Sequence, residues 1–197
     1  MPEADDRERD PEIPDWDDEY LDRVAHRLRF NYDLEKAYAV HDETFDLYAR
    51  LLMESKKHFM HQSVTYGNHE SREHLFVRRV DSVSQVDLER LVALGHDLAD
   101  EWIDPDEEHY GTDFSFVLVA PGISDDVRSF VSGFRDRTLL KFGYYGHYEI
   151  NLVVVVPEAE DAVASKNADV VDAVTTWEDV PEQSPGFFGR LARKLGR

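Results

Sequence analysis

Trp16, Tyr20, Val24 and Leu28 stand four residues apart, with Leu21 and Ala25 beside them. That spacing is one face of a helix. Asp15 can cap it, and Arg23, Arg27 and Arg29 towards its end suit the helix dipole. The period then drops to two. Phe30, Tyr32, Leu34, Tyr38 and Val40 alternate with polar residues, and after a turn at His41-Asp42-Glu43 so do Phe45, Leu47, Ala49, Leu51 and Met53. This predicts two antiparallel strands. Residues 74–80 read as a third. Ser84 with Asp87 three residues on opens a long helix in the manner of a capping box, and Leu88, Leu91, Val92, Leu98, Ala99 and Trp102 form its inner face. Residues 114–120 are a nearly continuous apolar strand. Ser124 caps a short helix that turns Val127, Phe130, Val131 and Phe134 inward. Residues 152–156 form a second apolar strand, expected to run parallel to 114–120 through that helix. Gly143 and Gly146 mark a bend in the segment that feeds it.

The order is α-β-β-β-α-β-α-β. It predicts a mixed sheet of about five strands flanked by helices, in the α+β or α/β class. Residues 1–14 are charged, hold almost nothing apolar and read as a disordered acidic arm. Residues 15–157 are the core domain. Residues 158–184 read as an acidic, weakly patterned extension, and 185–197 as a basic amphipathic tail helix.

Composition narrows the class. The 197 residues suffice for one sizeable core, and 42% of them are apolar. No apolar run reaches the eighteen residues of a membrane-spanning helix, and the charged N-terminus lacks the apolar stretch of a secretory leader. A cytoplasmic protein is expected. With no cysteine there is no disulfide, thiolate metal site or cysteine nucleophile. The net charge is −20, with 24 Asp to 18 Glu and 16 Arg to 6 Lys. This balance resembles proteins of salt-loving archaea. At 1 M salt the Debye length is about 3 Å, so dense carboxylates barely repel and keep the surface hydrated. The acidity then reports habitat more than partner.

Two stretches carry a family resemblance. Residues 44–80, TFDLYARLLMESKKHFMH and REHLFVRRV within them, resemble haloarchaeal proteins with a domain of unknown function. So do residues 112–156, TDFSFVLVAPGISDDVRSFVSGFRDR and YYGHYEINLVVVV within them. The resemblance spans roughly residues 16–160 and implies a fold and a taxon, with no activity and no functional residue. The order α-β-β-β-α-β also resembles that of the restriction-endonuclease-like fold, and topology alone gives no function.

The residues offer several chemistries. A nuclease of that fold needs an acidic residue on one strand and Glu-x-Lys on the next, to hold Mg2+ and stabilise charge at the scissile phosphate. Glu54-Ser55-Lys56 supplies the second part, and Asp33 or Asp46 the partner carboxylate. The blander reading, a strand end entering a solvated loop, is favoured. His58, His61, His69 and His74 lie within seventeen residues and could hold zinc or nickel. Their spacing fits no common motif, and solvated loop histidines are the simpler account. Tyr144-Tyr145-Gly146-His147-Tyr148 follows Arg135, Arg137 and Lys141, a mixture that can stack on nucleic-acid bases. An aromatic strand face packed on a helix is the preferred alternative. Asp104-Pro-Asp-Glu-Glu108 could attract a cation but reads as a solvated loop. No nucleophile elbow, P-loop or dinucleotide fingerprint is present.

The tail closes the chain with PGFFGRLARKLGR. Phe187, Phe188, Leu191 and Leu195 make one apolar stripe on a helix, with Arg190, Arg193, Lys194 and Arg197 beside it. It could lie on a membrane, dock on a partner or fold back onto its own acidic body. At molar salt the electrostatic attraction to lipid is screened, so membrane binding is marginal. The expectation is a non-enzymatic interaction or regulatory module with no cofactor. It would dock on an unknown protein partner through Phe187, Phe188, Leu191 and Leu195. A metal-dependent nuclease-like or nucleic-acid-binding protein is the alternative.

Overall fold

The computed structural model describes residues 13–55 and 69–178. In chain order they form α1 (Glu19–Leu28), β1 (Asp33–Val40), β2 (Glu43–Ser55), β3 (His69–Arg79), α2 (Gln85–Trp102), β4 (His109–Val119), α3 (Asp125–Gly133), β5 (Asp136–Leu139), β6 (His147–Val156), β7 (Asp161–Ala164) and α4 (Val171–Val174). The strands make one seven-stranded sheet in the order β1-β2-β3-β4-β6-β5, with β7 also paired to β6. β1, β2 and β3 are an antiparallel meander. β3, β4 and β6 run parallel, and β5 and β7 lie antiparallel to β6. The fold is α+β with a mixed sheet, as its pattern predicts.

Helices cover both faces. On the first, α1, α4, Trp16 and Tyr32 pack on Leu47, Ala49, Leu51, Leu75, Val77 and the valines at 117, 119, 153 and 155. On the second, α2 and α3 pack on Phe45, Tyr48, Phe76, Phe114, Phe116, Leu118, Ile150, Leu152 and Val154. Burial on both sides is why 152–156 carries no polar alternation: every residue of β6 is buried. Phe76 anchors the second core, with ring centroids 5.0 Å from Phe45 and 5.1 Å from Phe116. The starts of α1, α2 and α3 are capped by side chains. Ser84 and Asp87 form the full capping box of α2, and Ser124 accepts from the Val127 amide of α3.

Four differences from the sequence pattern have local causes. First, α1 begins at Glu19 under Asp18, whose carboxylate accepts from the Tyr20 and Leu21 amides. Asp15 instead accepts from the Asp17 amide in a turn, and Asp17 is left-handed at φ 54°. Trp16 is buried ahead of the helix, its indole donating to the Asp46 carbonyl at 2.7 Å. Second, β2 changes sides at Asp46. Phe45 belongs to one core and Leu47 to the other, although the two should share a face. Opposite this fault, Ala37 is left-handed at φ 53°. Third, β3, β4 and β6 begin about five residues before their apolar runs, because their first halves are polar. Fourth, residues 158–178 include β7 and α4. Tyr20 donates to the Val174 carbonyl at 2.8 Å, and Ala168, Val170, Ala173 and Val174 are buried with α1.

Candidate functional site

The polar first halves of the parallel strands come together. Glu73 on β3 pairs in register with Asp113 on β4, and Asp113 with Glu149 on β6. Arg137 on β5 stands opposite Glu149. Adjacent strands lie about 4.8 Å apart, so three carboxylates stand side by side in one row. Period-two alternation puts them on the α1 face, below Leu75, Ser115 and Asn151 and in line with the valine rows above. That face is therefore split, apolar at one end and ionisable at the other.

The two outer carboxylates have defined seats. The Tyr32 hydroxyl donates to Glu73 Oε2 at 2.9 Å. Burial and the negative charge of Glu73 and Asp113 hold the Tyr32 phenol well above its ordinary pKa, so it remains a donor. Glu149 is 1% exposed, with Arg137 Nη1 and His147 Nε2 each 3.5 Å from its Oε1. Arg137 Nη2 also lies 3.3 Å from His147 Nδ1. A guanidinium only donates, so Nδ1 accepts and Nε2 turns its proton to Glu149. Gly111 leaves room for the His147 ring, since a Cβ there would lie 3.2 Å from His147 Cε1. Taking charge into such a site is costly unless each carboxylate is paired or hydrogen-bonded. Among the described residues, no group of three or more His, Asp or Glu is arranged to hold a metal ion.

Beside the row, residues 139–146 form a turn at the sheet edge. Lys141, Phe142, Gly143 and Gly146 all have positive φ. Gly146 is obligatory, because a Cβ there would fall 2.1 Å from the Tyr110 carbonyl oxygen. The turn closes on itself, the Leu140 amide donating to the Gly146 carbonyl at 3.0 Å. His109 ties it to β4: Nδ1 donates to the Tyr145 carbonyl at 2.7 Å, and Nε2 accepts from the Thr112 hydroxyl at 2.9 Å. The outer side of this braced turn is apolar. Leu139 is 59% exposed, Tyr144 85% and Phe142 97%. Tyr148 alone follows the expected packing on a helix, its hydroxyl 2.9 Å from Nδ1 of His96 on α2.

The candidates read from the sequence are scattered. Asp33 pairs with Arg50 at 3.1 Å, and Arg50 stands four residues before Glu54 on β2, about 13 Å along the strand. Asp46, eight residues from Glu54, accepts from the Arg79 amide at 2.7 Å. The described backbone therefore brings neither aspartate to Glu54. His74 is a core residue. It stacks on Phe114 with centroids 5.2 Å apart, and its Nδ1 lies 2.7 Å from the Tyr48 hydroxyl. Burial pushes its pKa down to about 4. His69 begins the same strand, five residues before His74. Arg78 and Arg79 do point to opposite faces, Arg78 to Glu43 and Arg79 to Asp18 at 2.8 Å. Lys56, His58, His61, Phe187, Phe188, Leu191 and Leu195 lie outside the described residues.

The carboxylate row had a sequence signal that strand periodicity alone missed. Glu73, Asp113 and Glu149 stand one, one and three residues ahead of the runs at 74–80, 114–120 and 152–156. Only the register between the strands, which sets Gly111 rather than His109 opposite His147, puts the three level. Residues 17–176 match the model of a family described as a domain of unknown function (DUF8052). No curated protein and no solved structure matches the chain.

Proposed function

The chain belongs to the DUF8052 family of unknown function, and from that premise we propose that it is a non-enzymatic interaction module of a high-salt cytoplasm. It engages a protein partner through the turn at residues 139–144. One observation carries this reading: Leu139, Phe142 and Tyr144 are held out in water on a backbone that costs energy to keep. A left-handed non-glycine residue costs about 1–2 kcal/mol, and the turn has two in succession, Lys141 and Phe142. An exposed apolar cluster on a rigid support is the usual form of an interface anchor. Exposed Arg135 and Lys141 give it a basic rim, complementary to an acidic partner such as a high-salt proteome supplies.

The alternative of a metal-dependent nuclease-like enzyme of restriction-endonuclease-like fold has less support. Its carboxylates, Asp33, Asp46 and Glu54, are spread along two strands. The carboxylate row would serve the interaction reading as the rigid base of the turn, through Glu149, Arg137 and His147.

A photo-crosslinking phenylalanine analogue at position 142 of the full chain tests the proposal in cells. We expect a discrete protein adduct that is lost when Leu139 and Tyr144 are also changed to serine. Adducts no stronger than from the same analogue at Val86, an exposed apolar position on α2, would overturn it.

A further inference from the structure

We propose that residues 185–197 dock back onto their own domain, in the groove between the start of α1 and the chain at Thr176. The groove has a volume of about 550 Å³. Its lining includes Asp17, Asp18, Glu19, Asp22, Arg27 and Thr176, and its walls are largely the carbon of these side chains. It is thus an apolar floor with an acidic rim. The Asp17 and Glu19 side chains are 87% and 88% exposed, each in a long surface ion pair, at 3.5 Å to Lys36 and 3.8 Å to Arg23.

The route of the chain supplies the occupant. Arg27 of α1 donates to the carbonyls of Asp172, Thr175, Thr176 and Glu178, at 2.9, 3.2, 3.1 and 2.6 Å. One guanidinium therefore fastens the chain to the groove wall at the last residue described. Arg27 is committed to that task; Asp18 is held by Arg79 and Asp22 by the Trp16 amide, which leaves Asp17 and Glu19 as the rim's exposed carboxylates. From Glu178, residues 179–184 can span at most about 20 Å, so the tail starts within reach of the groove. Its four cations and four apolar side chains complement the acidic rim and carbon floor, in a chain that is otherwise −24. A linker this short holds the tail at an effective concentration in the millimolar range, so a weak site suffices. Screening at high salt removes part of the charge attraction and leaves the apolar contact.

The absence of cysteine makes the test clean. His26 is exposed on the groove wall, and Ala192 follows Leu191 in the tail's sequence. The full chain carrying His26→Cys and Ala192→Cys is equilibrated with a glutathione redox buffer at molar KCl. We expect an intramolecular disulfide with an effective concentration about tenfold above the millimolar value of an unrestrained linker. Adding Leu191→Asp and Leu195→Asp should remove that excess without touching the folded domain. An effective concentration unchanged by those substitutions, or a cross-link that forms only between chains and fades on dilution, would overturn the proposal. Neither residue set includes the turn at 139–144, so this inference and the proposed function fail separately.

Discussion

His74 shows how a single side chain sets a pH limit on the fold. The buried Tyr48 phenol keeps its proton and donates it to His74 Nδ1, so the imidazole is held neutral among Tyr48, Trp102 and Phe114. Its folded-state pKa of about 4 lies below the ordinary 6.5. Between those values the unfolded chain binds a proton that the folded chain refuses. Stability is therefore complete above pH 6.5 and falls as pH drops towards 4, by roughly 3 kcal/mol from this group. Urea unfolding at intervals across that range measures it. His74→Phe should flatten the slope, and at pH 8 should cost about 1–3 kcal/mol through the unsatisfied Tyr48 hydroxyl. A slope that survives the substitution would assign the acid sensitivity to other groups. A histidine flanked by Glu and Leu on a strand gives no sign in the sequence of whether it faces an ion or a ring. Only the register, which sets it against Phe114, decides that.

Among the elements, α4 depends most on contacts from elsewhere. It has four residues, no side-chain cap and no propensity to stand alone. Its place is fixed by Tyr20 and Arg27 of α1. Arg27→Met keeps the aliphatic stem and removes the donors. We expect a loss of about 2 kcal/mol, since hydrogen bonds from a charged donor contribute about 1.5–3 kcal/mol each and these are partly exposed. Hydrogen exchange at residues 171–178 should accelerate while β4 and β6 stay protected. Unchanged protection there would mean that Val174 and Ala173 hold the element by packing alone. This dependence explains what the pattern left out. α1, α2, α3 and the strand cores at 114–120 and 152–156 announce themselves, because their periodicity is local. β5, β7 and α4 are too short for any period, and exist because β6 and α1 offer them edges and acceptors. The carboxylate row was hidden for a related reason. Each strand contributes one of the three carboxylates, and only parallel pairing in register turns them into a cluster.

On the scale of the whole molecule, charge and core pull against each other. Forty-two carboxylates against 22 lysines and arginines surround a sheet covered on both faces. At low ionic strength that surface repels itself, and the repulsion acts on a net stability of only about 5–15 kcal/mol. Dialysis from molar KCl to roughly 0.1 M should therefore collapse the circular-dichroism signal, with recovery when salt is restored. Full structure at the lower salt would show that the core outweighs the surface unaided. Among the described residues no helix is long and apolar enough to cross a membrane.

The left-handed Ala37 has a consequence for how such a protein survives crowding. β1 ends the sheet, so its outer backbone groups face away from β2. A regular eight-residue border would be a template on which another chain could build. Ala37 divides it into stretches of four and three residues, 33–36 and 38–40, each shorter than the six or seven that stacked fibrils need. Among the described residues, the same fault that moves Phe45 and Leu47 into different cores thus interrupts the sheet border on which amyloid-like growth would build.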